Sequence, residues 1–268
     1  MPGKFQVELP DFSHWQKTVK CQDACPVHTD ARGYVAAIAE GDPEKAYVIA
    51  REPNPFASIC GRVCAAPCEI ACRRGDVDAA IAIRALKRFV TERFGVEALL
   101  TLGRKAEVAA ENLGFNLVAK RKLLLESHSI QDLSALQNLA TLSGPPLKKD
   151  VSGPKRVAVI GSGVAGLTCA HDLAVLGYRV TVFEAQKIPG GMLVLGVPEY
   201  RLPRALIRAE IDAILELGVD LKMGRKLGRD FSIQDLRAEG FDAIFIAIGA
   251  HKTRELRMDG VEFDGVFR

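Results

Sequence analysis

The sequence predicts two unlike parts in series: an α-helical, cysteine-rich N-terminal region, then an α/β region with a parallel sheet. Three observations carry that prediction. Six of the seven cysteines precede residue 73, which leaves Cys169 alone. Apolar residues recur at helical spacing through 30–100, and no alternating strand pattern occurs there. From residue 156, short β-branched runs take over and bracket a glycine-rich turn.

Taken in order, Val35, Ile38 and Ala39, then Ala46, Val48 and Ile49, mark two helices. Gly41-Asp42-Pro43 is the stop and restart between them. In CGRVCAAPCEIACRRG (60–75), Pro67 would remove a backbone bond and clash with the preceding turn of an unbroken helix. Residues 60–66 are therefore expected as loop or turn, and 67–74 as a short helix opening on the proline. DAAIAIRALKRFVTERF (78–94) reads as an amphipathic helix after its first few residues. Helix-like, leucine-rich segments fill 97–142, and SGPPLKKDVSGPK (143–155) has the breakers and charge of a linker. RVAVI (156–160) and YRVTVFE (178–184) read as strands around a helix, a βαβ unit. DAIFIAIGA (242–250) reads as a buried parallel strand. The boundaries expected are 1–100 for the helical domain, 101–152 for connection and linker, and 153–268 for the α/β domain.

With 268 residues, 26% charged and 48% apolar, the composition is that of a globular protein with room for two domains. A net charge of +3, with no basic run interleaved with aromatics, argues against nucleic acid as a partner. No apolar window approaches a membrane span and the first residues have no signal-peptide core, so a cytoplasmic protein is expected. Cysteines there are metal ligands or redox groups more often than disulfides.

The chemistry-bearing motifs are two. Gly161, Gly163 and Gly166 form G-x-G-x-x-G directly after a strand and at the opening of a helix. The first glycine permits the turn, the second lets backbone approach a pyrophosphate, and the third lets helix and strand pack closely. Glu184, about 20 residues on at the end of the second strand, is placed for ribose hydroxyls and disfavours a 2′-phosphate. FAD and NAD both remain. The second motif is Cys60, Cys64, Cys68 and Cys72 at intervals of four, preceded by Cys21 and Cys25. Paired C-x2-C zinc knuckles and a thioredoxin-like C-x-x-C are both absent. An iron–sulfur cluster tolerates varied spacing and is often followed by proline, as at Cys25-Pro26.

These stretches resemble the small subunit of glutamate synthase and its relatives. The residues that carry the resemblance are CP at 25–26, NPFASICGRVC at 54–64, PCEIACRRG at 67–75 and IRALKRFVTE at 83–92. In the α/β part they are IPGGMLVLGVPEYRLPR (188–204) and FDAIFIAIGAH (241–251). Relatives include dihydropyrimidine dehydrogenase, the large subunit of NADH-dependent ferredoxin:NADP oxidoreductase, and a flavoprotein serving dissimilatory sulfite reductase. The resemblance implies an α-helical N-terminal iron–sulfur domain followed by an incomplete α/β Rossmann-like FAD-binding domain. It implies FAD, with backbone at Gly190 and Gly191 against the nucleotide and Ala247 and Gly249 closing its site. It implies electrons passed between NAD(P)H and a partner redox protein or catalytic large subunit.

The family's helical domain carries two [4Fe-4S] clusters, and this chain departs from it. Only Cys21 and Cys25 stand in the first cysteine segment, and nothing between Ser13 and Lys17 replaces the missing thiolates. Lys87 stands where members have a Gln or Glu ligand, and an ammonium has no lone pair for iron. One [4Fe-4S] cluster is therefore expected, two being the alternative. Cys25, Cys64 and Cys68 match family ligands, and the fourth comes from Cys60, Cys21 or Cys72. Arg73, Arg74 and Arg201 are either tuning charges or ordinary surface arginines. No second G-x-G-x-x-G for NAD(P)H occurs. The expectation is a fragment or a chain completed by a neighbour, unable alone to oxidise NAD(P)H. The competing reading is a non-catalytic nucleotide-binding adaptor with a structural cluster.

Overall fold

The computed structural model describes residues 18–98, 155–251 and 258–265. The helical connection and linker expected over 101–152 lie outside them. The helical part runs α1 (Lys20–Asp23), α2 (Ala31–Ala39), α3 (Pro43–Arg51), α4 (Ala57–Val63), α5 (Pro67–Ile70), a 3₁₀ turn (Arg73–Asp76) and α6 (Ile83–Phe94). The expected break between α2 and α3 has a defined chemistry. Gly41 takes φ +82°, and the Asp42 carboxylate accepts the Lys45 amide at 3.0 Å ahead of Pro43 in the first turn. Asp42→Ala is expected to cost about 1 kcal/mol of stability, read from urea or thermal denaturation.

The cysteine stretch departs from expectation. Residues 60–66 are not all loop, because α4 carries Cys60 and runs on to Val63. The Pro67 ring collides with the carbonyl four residues earlier, that of Val63, so a helix ending there escapes the clash. Only Cys64 to Ala66 leave helical geometry, with Ala66 left-handed at φ +55°. The short helix after the proline stops at Ile70 rather than residue 74. Helices α4 and α6 cross at Gly61, where a Cβ would stand 3.0 Å from the Arg88 Cα. Tyr34, Tyr47, Ile83 and Val90 lie buried in the core beneath.

The α/β part runs β1 (Arg156–Ile160), α7 (Val164–Val175), β2 (Arg179–Phe183), α8 (Met192–Leu195), α9 (Arg204–Leu215), β3 (Asp220–Lys222), α10 (Ile233–Ala238) and β4 (Ala243–Ile246). The sheet is parallel in the order β3-β2-β1-β4. The chain leaves β1 toward β2 on one side and reaches β4 on the other. Ligands bind such sheets outside the strands' carboxyl ends at that switch. Register places Ile160 beside both Phe183 and Ile246, so the loops after all three strands gather at one edge. β4 is parallel as expected but not buried: Phe245 and Ile246 are 41% and 50% exposed. It lies at the edge of the sheet, so its apolar run is not sandwiched as a central strand would be.

The two parts share a core. Phe56 and Ile59 of the α4 region and Val96 pack with Leu206, Ile207, Ile211 and Ile214 of α9. At its centre Glu210, fully buried, pairs with Arg51 at 2.8 Å and accepts the Ser58 amide at 3.0 Å. Burial works to lower the Arg51 pKa, and the charge of Glu210 with the Tyr47 hydroxyl more than reverses it, leaving it raised. Among the described residues, no helix is long and apolar enough to cross a membrane.

Candidate dinucleotide and iron–sulfur sites

The glycine turn joins β1 to α7. Gly161 leaves β1 at φ +108°, and its amide donates to the Phe183 carbonyl at 2.7 Å. A side chain there would run into the Ala247 carbonyl. A Cβ on Gly166 would run into the Gly161 carbonyl oxygen, so strand and helix approach as closely as backbone permits. Gly163 caps α7 and differs from both: among the described residues, its chain neighbours apart, no atom lies within 4 Å of its would-be Cβ. The open space lies in front of the α7 N-terminus, whose free amides favour anionic oxygen.

Gly190 and Gly191 form a second turn, at φ +111° and +52°. The Gly190 amide donates to the Ser162 carbonyl at 2.9 Å, and a Cβ on Gly191 would lie 3.0 Å from the Gly163 Cα. The two turns are thus packed on each other. Ala247 joins them through its amide, which donates to the Ile160 carbonyl at 2.8 Å. Gly249 follows on the same edge at φ +71° with open space before it.

Glu184 is 8% exposed at the end of β2. Its Oε2 accepts the Ser162 amide at 2.8 Å and the Ser162 hydroxyl at 2.6 Å, while Oε1 accepts the Gln186 amide at 2.7 Å. Sequence reasoning missed the first task of this carboxylate, which is to hold the glycine turn. Oε1, with a single donor in the protein, keeps capacity for a ribose hydroxyl. A dinucleotide fits this edge: a clear approach at Gly163, amides for its phosphates, and an acceptor for its ribose.

The cysteines sort into two sets. Cys60 lies in α4 and Cys64 caps its C-terminus one turn on, the Cys64 amide donating to the Cys60 carbonyl at 3.2 Å. Burial raises the Cys60 thiol, the Asn54 bond and the Lys87 charge oppose it, and the charges of Cys64 and Cys25 add to it. Burial pushes Cys68 up to about 11, with Cys25, Cys64 and Glu69 adding. Cys60 and Cys68 thus each feel the charges of Cys25 and Cys64. Cys21 is raised by burial and then by Cys72, and these two line a separate cavity of about 400 Å³ with Arg32, Arg73 and Arg74. Arg74 is also paired with Asp78.

Donors serve the sulfurs of the larger set. Asn54 Nδ2 donates to Cys60 Sγ at 3.0 Å, and the Ala66 amide donates to Cys64 Sγ at 3.3 Å. The Cys25 thiol instead donates, to the hydroxyl oxygen of buried Thr29 at 3.6 Å. Among the described residues, no three Cys, His, Asp or Glu side chains converge on a point that would hold a single metal ion. Four thiolates around a cubane stand farther apart, since each binds its own iron. The larger set offers four thiols, the ligand count of such a cluster.

A helical cysteine-rich domain docked on a Rossmann-like domain defines the class of architecture. Residues 16–98 match the family described as dihydropyrimidine dehydrogenase domain II, 4Fe-4S cluster, and residues 159–194 match the NAD(P)-binding Rossmann-like domain. Both matches agree with the expected order, a cysteine-rich helical region followed by a Rossmann-like region. The NADP(+)-dependent formate dehydrogenase subunit beta of Moorella thermoacetica is 38% identical over 91% of this chain and 31% of its own length. The NADPH-Fe(3+) oxidoreductase subunit beta of Geobacter sulfurreducens is 34% identical, over 91% and 30%. The NAD-dependent dihydropyrimidine dehydrogenase subunit PreT of Escherichia coli O157:H7 is 29% identical, over 85% and 45%. The chain thus spans about a third of the first two relatives and under half of the third.

Proposed function

We propose that this chain binds FAD and one [4Fe-4S] cluster and passes electrons between NAD(P)H and a partner redox protein or catalytic subunit. The observation that carries the reading is the shared core: the cysteine helix α4 is buried directly against α9 of the dinucleotide domain. Two redox sites so joined keep a fixed separation. When bound, a flavin accepts a hydride and releases electrons singly, while a cluster carries one at a time.

The residues supply binding and positioning. Gly163 and the first turn of α7 would receive the pyrophosphate, with the Gly190-Gly191 turn packed beside them. Glu184 accepts from the ribose and repels a 2′-phosphate. Cys25, Cys64 and Cys68 hold the cluster with a fourth thiolate, and Asn54 and the Ala66 amide donate to its sulfur ligands. All seven cysteines are free, the pattern of a reducing compartment, and the cytoplasm is the proposed location. Relatives bear names such as subunit beta and subunit PreT, which supports work alongside partner subunits.

Anaerobic purification with iron, sulfide and flavin analysis tests this. One cluster equivalent bleached by dithionite, together with FAD uptake, is the expected result. Tightly bound zinc instead of iron, or no affinity for FAD, would sink it. A cluster that stays inert to reductant and oxidant would favour the adaptor.

A further inference from the structure

We infer that Cys60 is the fourth thiolate of the cluster site and that Lys87 is the buried cation balancing the charge held there. The inference rests on the cluster reading above and concerns how that site is closed. Helices α4 and α6 meet where Gly61 touches the Arg88 backbone, which sets Cys60 and Lys87, one residue back on each helix, beside the crossing. Cys64 caps the C-terminus of the same helix, one turn on from Cys60. The buried Asn54 holds its amide in one sense, because Oδ1 accepts the Phe56 amide at 3.0 Å, so that Nδ2 points at Cys60 Sγ. A donor fixed on a sulfur in this way suits a thiolate ligand. Cys72 has no such place. It lines the separate cavity with Cys21, a cavity that none of the other four cysteines lines.

Lys87 is 8% exposed and stands 5.8 Å over the Tyr34 ring, itself 1% exposed. Among the described residues, no carboxylate pairs with it. A buried ammonium without an anion is strongly unfavourable, so the site calls for negative charge beside it. Four thiolates around a cluster supply that charge. Lys87 cannot coordinate iron, and its cation favours the reduced, more negative cluster. It is a positioning and tuning residue, not a ligand.

The full chain, purified or reconstituted anaerobically with iron and sulfide, is labelled with iodoacetamide and mapped by peptide mass spectrometry. Expected is about tenfold slower labelling of Cys25, Cys60, Cys64 and Cys68 than in the iron-stripped chain, with Cys21 and Cys72 unchanged. Cys60 labelled as fast with the cluster as without it, while Cys21 or Cys72 becomes protected, would overturn the assignment. Because this uses the native chain, it decides even if Cys60→Ala fails to fold. Lys87→Met should keep iron and sulfide but lower the reduced-to-oxidised ratio at fixed poise about tenfold, about 59 mV for one electron, with Lys87→Arg restoring it. An unchanged ratio in Lys87→Met would overturn the balancing role. A wild-type chain that takes up no iron and sulfide overturns the cluster reading itself, and this inference with it.

Discussion

Glu210→Ala is expected to cost about 3–5 kcal/mol, the scale for breaking a buried ion pair from one side. Two groups depend on that carboxylate, which is fully buried in the shared core. Arg51, 14% exposed, loses its counter-charge, and the buried Ser58 amide loses its acceptor. The α4 helix loses its polar tie to α9. For a chain of this size the melting temperature should fall on the order of 10 °C. Glu210→Gln should cost less, because its amide oxygen can still accept from Ser58. The double change Arg51→Met with Glu210→Met should recover much of the loss, since well-packed apolar groups often match a buried pair. Calorimetry of the three proteins checks this order. If Glu210→Ala melts like the native chain, the pair is not what joins the parts. A second readout is electron transfer from flavin to cluster in the loaded protein. Loosening α4 should slow it while both midpoint potentials stay unchanged.

That latch shows where sequence reading falls short and what could have extended it. In α9, Leu206, Ile207, Ile211 and Ile214 form an apolar stripe, and Glu210 falls within it. In α6, Ile83, Val90 and Thr91 form the buried stripe, and Lys87 falls within it. A charge inside an apolar stripe signals a buried partner, a signal present in both helices. The partners themselves, Arg51 with Ser58 and the cysteine set, lie far along the chain and no local pattern names them. The glycine turn was legible for the opposite reason. Its requirements are steric and local, so Gly161, Gly163 and Gly166 could be assigned from spacing between two strands. The regular spacing of Cys60 to Cys72 leaves open which of them share a site. The chain turn at Cys64–Ala66 and the stop after Ile70 divide those cysteines between two places. β4 misled through composition, because an apolar run does not reveal whether a strand sits at the centre or the edge of its sheet.

Gly163→Ala should separate binding from folding at the dinucleotide site. Its backbone, at φ −72° and ψ 179°, suits any residue, and among the described residues, its chain neighbours apart, the added methyl meets no atom within 4 Å. Alanine is a poorer helix cap than glycine, yet it reduces the freedom of the unfolded chain, and the two effects offset within about 0.5 kcal/mol. The FAD-free protein should therefore melt close to the native one. The methyl would occupy the space through which a pyrophosphate approaches the α7 amides. Crowding of that kind costs about 1–3 kcal/mol, or about 5- to 150-fold in affinity, read by flavin fluorescence or calorimetric titration. Gly166→Ala is the contrast. Its methyl meets the Gly161 carbonyl, so it should destabilise the protein before any ligand is added. If Gly163→Ala binds FAD as tightly as the native chain, the phosphates do not lie at this turn. If it unfolds the protein, the open space in front of α7 is closed by the protein itself.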